Sequence, residues 1–211
     1  IIEIRKTELE DLSKITKINS LERIEGYDIS NISGKFATGS RVVFLNGDAE
    51  NNLYRHFRVR LNDKPDDPKM MSEMLNRRLK HEEWEYPSLI LVDGGKTQIS
   101  AVLKTLECSN VKIPVIGNGD IKSKEDAIIK LGNLDGVMVG RGTMGNPWLM
   151  AEIVSAFKGG NYKRPETFQE RLPTTLRHCE LNVATKGEKR GIMEMRKHLV
   201  GSIKNFPGAS E

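Results

Sequence analysis

Residues 1–20 alternate charged side chains with Leu9, Leu12, Ile15 and Ile18, a spacing that predicts a short amphipathic helix leading into a domain. From Arg23 the period changes. Three segments of β character follow, at Arg23 to Ser30, Arg41 to Asn46 and Tyr54 to Leu61, separated by Gly34 to Gly39 and by the hairpin-type turn Asn46-Gly47-Asp48. They predict an antiparallel meander. Asp66-Asp67-Pro68 then supplies an N-cap and an N-terminal proline, and Met70, Met71, Met74, Leu75 and Leu79 recur on one face. A helix over 68–80, packed on the sheet through a methionine-rich stripe, is expected.

The apolar run Ser88 to Val92 ends in Asp93-Gly94-Gly95, and Ile99, Val102, Leu103 and Leu106 mark a helix over 96–107. Ile113-Pro114-Val115-Ile116-Gly117 is the next strand, closed by the tight turn Asn118-Gly119-Asp120. Three antiparallel strands followed by helix, strand, helix and strand give the element order of a ribonuclease H-like fold. A helix over 123–131 and a strand over 136–140 come next. Strands 88–93, 113–117 and 136–140 are therefore expected side by side and parallel, joined by right-handed crossovers. Helices over 146–157, 166–185 and 188–204 complete the chain as a separate bundle, with Pro173 expected to kink or split the middle one. The expected class is α/β: a mixed sheet extended by one further strand–helix unit, plus a C-terminal helical bundle.

With 211 residues and 37% hydrophobic content, the chain can bury a core in one large or two small domains. No run of about 18 apolar residues can span a membrane and no leader opens the chain, so a cytoplasmic location is the default. Because it opens on Ile1, the chain is expected to be a fragment. Cys108 and Cys179 fit no metal or redox spacing and read as two reduced thiols. The net charge of +4 lies entirely downstream of Ile116: residues 1–116 hold 18 basic and 18 acidic side chains, residues 117–211 hold 15 and 11. Residues 161–211 alone carry 10 basic and 6 acidic groups, a balance that suits a polyanion or a solvated helical surface.

The stretches Arg23-Ile24-Glu25-Gly26-Tyr27-Asp28-Ile29-Ser30-Asn31, Val42-Val43-Phe44, Tyr54-Arg55-His56-Phe57, Asn76-Arg77-Arg78 and Leu91-Val92-Asp93-Gly94-Gly95-Lys96-Thr97-Gln98 occur in that order. Over residues 1–116 the chain thereby resembles the endonuclease domain of UvrC, the incision subunit of bacterial nucleotide excision repair. The resemblance implies that Asp28 and Asp93 bind a catalytic Mg²⁺ or Mn²⁺, that a UvrB–DNA complex is the partner, and that a further acidic ligand is Asp67, with Asp66 as the alternative. Either of the last two equally suits a helix N-cap. Phosphodiester hydrolysis has use for carboxylates at adjacent strand ends, since a divalent cation held there activates water and neutralises phosphate charge. The family's histidine falls in a segment this chain lacks, so feeble cleavage is expected.

Downstream, Asn118-Gly119-Asp120-Ile121, Asp135 to Gly142, Gly145-Asn146-Pro147-Trp148-Leu149, Gly187-Glu188-Lys189-Arg190, Met195-Arg196-Lys197-His198-Leu199 and Pro207-Gly208-Ala209 follow one another. Residues 112–211 thereby resemble the C-terminal part of a tRNA-dihydrouridine synthase. The resemblance implies that Asn118, Gly119, Asp120, Gly140 and Arg141 grip the phosphate of FMN at strand ends of a barrel, and that the last helices bind tRNA. It also implies that most of the barrel and the catalytic cysteine lie outside this chain, so flavin binding is expected to be weak. The divisions expected are a lead-in helix at 1–22, a nuclease-like domain at 23–117, a barrel remnant at 118–145 and a tRNA-binding helical domain at 146–211. Three activities follow, in this order of preference: a metal-dependent nuclease module, a non-catalytic nucleic-acid binder, and a flavin-dependent tRNA reductase.

Overall fold

The computed structural model describes residues 2–32, 36–58, 66–81 and 83–203. They fall into two compact units, one within Ile1–Gly119 and Lys130–Met138, the other within Asp120–Ile129 and Val139–Glu211.

The first unit opens with α1 (Ile2–Thr16) and then builds a seven-stranded mixed sheet. Strands β1 (Arg23–Ile32), β2 (Phe36–Leu45), β3 (Asp48–Ala49) and β4 (Arg55–Arg58) form its antiparallel part, with β2 paired to β1, β3 and β4. The turn into β3 has positive φ at Asn46 (51°) and Gly47 (83°), the backbone a tight hairpin requires. After α2 (Asp67–Leu79), β5 (Leu89–Asp93) pairs parallel with β1. Then α3 (Lys96–Cys108) leads to β6 (Val115–Asn118), and α4 (Lys124–Leu131) to β7 (Gly136–Met138), each strand parallel to the one before. The strand order β3-β2-β1-β5-β6-β7 is the expected ribonuclease H-like sheet with its extra parallel strand.

Alternation along the strands separates two apolar layers. Tyr27, Ile90, Val92 and Val115 meet Met71, Met74 and Leu75 of α2 and Ile99, Val102 and Leu106 of α3. On the other face Leu21, Ile24 and Leu89 are covered by Leu9, Leu12 and Ile18, with Leu91 and Ile116 packed alongside. Ile15 does not join this stripe and is 78% exposed. A spacing of three drifts by about 60° per step on a helix of 3.6 residues per turn, which carries Ile15 away from the face of Leu9, while Ile18 lies beyond the end of α1 and is not bound by that period.

Two further readings change. The stretch from Gly34 to Gly39, expected as a connection, contributes Phe36 to Gly39 to β2, where Gly39 faces Ile29. A Cβ on Gly39 would stand 2.7 Å from the Met74 sulfur, so this glycine admits the helix rather than turning the chain. The third meander strand is seen over Arg55–Arg58, and its expected continuation to Leu61 lies outside the described residues.

A buried ionic cluster ties the antiparallel and helical parts together. Glu25, with no solvent exposure, accepts from Arg23 Nε (2.8 Å), Arg78 Nε (3.0 Å) and the Tyr27 hydroxyl (2.6 Å). Arg41 Nη1 lies 3.8 Å from the same carboxylate, and the Arg41 and Arg78 guanidiniums sit 4.7 and 5.6 Å from the Trp84 ring centre. Burial alone would push the Glu25 carboxyl up, but the hydrogen bonds from Arg78 and Tyr27 and the Arg78 and Arg41 charges outweigh it and hold the group lowered.

The second unit holds α5 (Leu149–Phe157), α6 (Phe168–Lys186) and α7 (Glu188–Ile203). Thr167 and Glu170 close a capping box at the start of α6: the Glu170 N–H donates to Thr167 Oγ1 at 3.3 Å and the Thr167 N–H to Glu170 Oε2 at 3.1 Å. The helix does not split at Pro173, which sits in its second turn and removes a single backbone donor from an anchored end. Asn182 Nδ2 donates to the Gly191 carbonyl at 2.7 Å, and Lys186 pairs with Glu194, fastening α6 to α7. Among the described residues no helix is long and apolar enough to cross a membrane.

Replacing Glu25 by Gln leaves three buried guanidiniums without a countercharge, and a loss of about 3–5 kcal/mol in unfolding free energy is expected. Because the Glu25 pKa is lowered on folding, its contribution is full above the unfolded value near 4.5 and fades as the pH falls through the folded one. Urea unfolding between pH 7 and pH 3 checks this: the Glu25→Gln variant should start less stable and lose less on acidification.

Candidate metal site and phosphate motif

Strands β1 and β5 bring two aspartates to the same end of the sheet. Asp28 stands directly opposite Asp93 in the parallel register, and both share the face of Ile24 and Leu91. The Asp28 carboxyl is raised, first by partial burial and then by the charge of Asp93, with a hydrogen bond from the Ile29 backbone opposing. Two facing carboxylates that repel one another are a hard oxygen donor set, suited to a divalent cation that would cancel the repulsion. These residues therefore fit Mg²⁺ or Mn²⁺.

The other acidic candidates separate. Asp66 is the N-cap of α2, accepting from the Lys69 backbone at 3.2 Å and pairing with the Lys69 ammonium at 3.1 Å. Asp67, the first helical residue, accepts from Gln98 Nε2 at 3.3 Å, while Gln98 Oε1 takes the Gly95 N–H at 2.6 Å. Gln98 thus links Asp67 to the loop that follows Asp93. Among the described residues no group of three or more His, Cys, Asp or Glu side chains is placed to hold a metal ion. Asp28 and Asp93 are the two candidates that strand register sets side by side, and Asp67 stands at the head of α2, joined to Gln98.

The residues of the phosphate motif are distributed between the two units. In the first, Asn118 donates from Nδ2 to Asp93 Oδ1 at 3.3 Å. Lys130 Nζ donates to the Gly94 carbonyl at 2.7 Å and lies over Gly119, where a Cβ would come within 1.8 Å of it. In the second, Arg141 Nη2 pairs with Asp120 Oδ1 at 2.8 Å, both side chains largely exposed. Gly140 precedes the single 3-10 turn Arg141–Thr143 and has open space beside it. Sequence reasoning missed Gln98, Lys130 and the contact of Asn118 with Asp93. The contacts of Asn118 with Asp93, of Gln98 with Asp67 and of Lys130 with Gly94 join residues 25 to 36 positions apart, so they leave no local signal, and only the capping contact of Gln98 with Gly95 is local.

A family model described as the UvrC RNAse H endonuclease domain matches residues 13–134, and one described as dihydrouridine synthase (Dus) matches residues 97–211. The UvrABC system protein C of Clostridioides difficile is 46% identical over 110 residues, covering 52% of this chain and 18% of that protein. A protein of Mycobacterium leprae named Probable tRNA-dihydrouridine synthase is 43% identical over 101 residues, covering 47% of this chain and 26% of its own. The chain thus spans about a fifth to a quarter of the length of these two relatives. Among solved structures, Endonuclease V of Ciona intestinalis in complex with inosine-containing DNA is 17% identical, with a TM-score of 0.38 and 63% of each chain covered.

Because its pKa is raised, Asp28 favours the folded state at low pH and opposes it increasingly as the pH rises through the folded value. In the absence of divalent ions an Asp28→Asn variant should therefore melt above the parent at pH 8, by on the order of 1 °C for a group so exposed. The gap should close toward pH 4. A variant that melts below the parent at pH 8 would show that burial and the Asp93 charge together place no net penalty on the Asp28 carboxylate.

Proposed function

Since the chain belongs to the UvrC RNase H endonuclease domain family through its first part and to the dihydrouridine synthase family through its second, we propose that its working chemistry is metal-dependent cleavage of DNA by the sheet-bearing unit. The observation that supports this most is the placement of Asp28, within β1, opposite Asp93 at the end of β5, where the parallel pairing of the two strands stops. Each contributes carboxylate oxygens toward one divalent cation. When bound, that cation supplies an activated water and a positive charge beside the scissile phosphate. Gln98 keeps the loop after Asp93 in place through the Gly95 N–H, and the same side chain donates to Asp67, the further acidic candidate. With only two carboxylates brought together, cleavage is slow.

In this reading the nuclease module runs over residues 23–117 behind a lead-in helix at 1–22, and its DNA is presented by a UvrB complex in the cytoplasm. Residues 118–145 are a barrel remnant and 146–211 a helical surface that binds tRNA weakly through its basic excess. FMN-dependent reduction of uridine in tRNA is a poorer fit. Lys130 lies over Gly119, and Arg141 is engaged by Asp120. A phosphate held by a few backbone donors and one exposed arginine would bind on the order of millimolar.

A supercoiled plasmid incubated with the purified chain and Mn²⁺ should be nicked slowly, and Asp93→Asn should stop it. Nicking by that variant at the parental rate would remove Asp93 from the mechanism, and no nicking by the parent would leave a binding role. The purified protein should also be colourless and should leave uridine in tRNA unreduced. Copurified stoichiometric flavin, read from its visible absorbance, would instead favour the reductase.

A further inference from the structure

Three side chains, not two, stand in a row at this end of the sheet. Strands β1, β5 and β6 are consecutive neighbours, Asp28 lies opposite Asp93, and Asp93 lies opposite Asn118. Residues paired directly across parallel strands share a face, and here it is the face on which Ile24, Leu91 and Ile116 are packed. Adjacent strands are about 4.8 Å apart, so each of the three is separated from the next by roughly one side-chain length. The Asn118 amide already touches the pair, donating from Nδ2 to Asp93 Oδ1 at 3.3 Å.

We infer that Asn118 is the third oxygen donor of the cation site formed by Asp28 and Asp93. This rests on the reading of those two aspartates as a metal pair. A half-turn of the Asn118 amide exchanges its N–H group for the carbonyl oxygen without moving the residue, and amide carbonyls are ordinary ligands of hard divalent cations. The charge also fits: two carboxylates neutralise one divalent ion, and a neutral third donor adds coordination without adding repulsion. A phosphate at the same amide would instead face the negative charge of Asp93. Lys130 cannot take the place of Asn118, because an ammonium has no lone pair to offer and is held on the Gly94 carbonyl. The residue that opens the phosphate motif thus belongs to the carboxylate site.

The test is Mn²⁺ titration of the full chain, followed by the electron paramagnetic resonance signal of the free ion, with circular dichroism confirming that each variant folds. The parent should bind, and Asp93→Asn should abolish binding. Asn118→Leu should weaken it about tenfold, the scale of losing a group that supports a metal site. Asn118→Asp, which keeps an oxygen in the same place, should bind at least as tightly as the parent. If the parent binds no Mn²⁺, both the aspartate pair and this extension fall. If Asp93→Asn abolishes binding while Asn118→Leu leaves it unchanged, the inference fails and the pair stands. Should the leucine variant not fold, Asn118→Asp decides, and weaker binding than the parent overturns the inference.

Discussion

A single carboxylate holds the first unit in register with itself. Glu25 collects Arg23 from its own strand, Tyr27 two residues on, Arg78 from α2 and, at longer range, Arg41 from β2. Arg78 carries the tie further, donating to the backbone carbonyls of Trp84 and Glu85 just ahead of β5. Buried ion pairs do not generally add stability over apolar packing, but they penalise every arrangement that separates the partners. Here that penalty falls on any shift of α2 or of the 84–86 segment against β1. Three positive charges around one negative one make the arrangement sensitive to the loss of Glu25 rather than of any one arginine.

The chemistry depends on this fixing. Asp28 lies three residues beyond Glu25 on β1, and Asp93 ends the strand that begins after the segment held by Arg78. The cluster occupies the face packed by α2 and α3 and the aspartates the face of Ile24 and Leu91, so a strand clamped from one side presents its carboxylates on the other. The carboxylates can then be held in mutual repulsion by a structure that does not yield to it.

Much of the fold was legible because its signals are local. The period-2 runs, the Asn46-Gly47 turn, the methionine stripe of α2 and the two apolar strands each carry their own pattern, whereas Asp28 and Asp93 were singled out by the resemblance to UvrC and not by any local pattern. What was not legible depends on distance through space. Glu25 reads in sequence as a polar residue of an alternating strand, and its complete burial follows from three arginines that only the fold brings near. Asp66 and Asp67 are neighbours with the same side chain, and which one caps α2 is decided by a hydrogen bond to Lys69 that sequence leaves open. Ile15 obeyed the spacing and still faced water, because a period of three is not the period of a helix.

Strand β6 lies where the two family matches overlap, and it shows what its neighbours in the sheet inspect. Val115 answers to the helix-covered layer and Ile116 to the opposite one, while backbone pairing with β5 and β7 asks only for a parallel partner in step. Any segment with that alternation satisfies the sheet, whatever follows it. A slip of one residue, by contrast, would turn Asn118 to the far side and exchange Val115 and Ile116 between layers shaped for the other. The sheet therefore behaves as a coupling standard: it accepts a strand of foreign ancestry so long as the thread pitch matches. A lineage can exchange everything downstream of such a strand in one step while the side chains upstream keep their places.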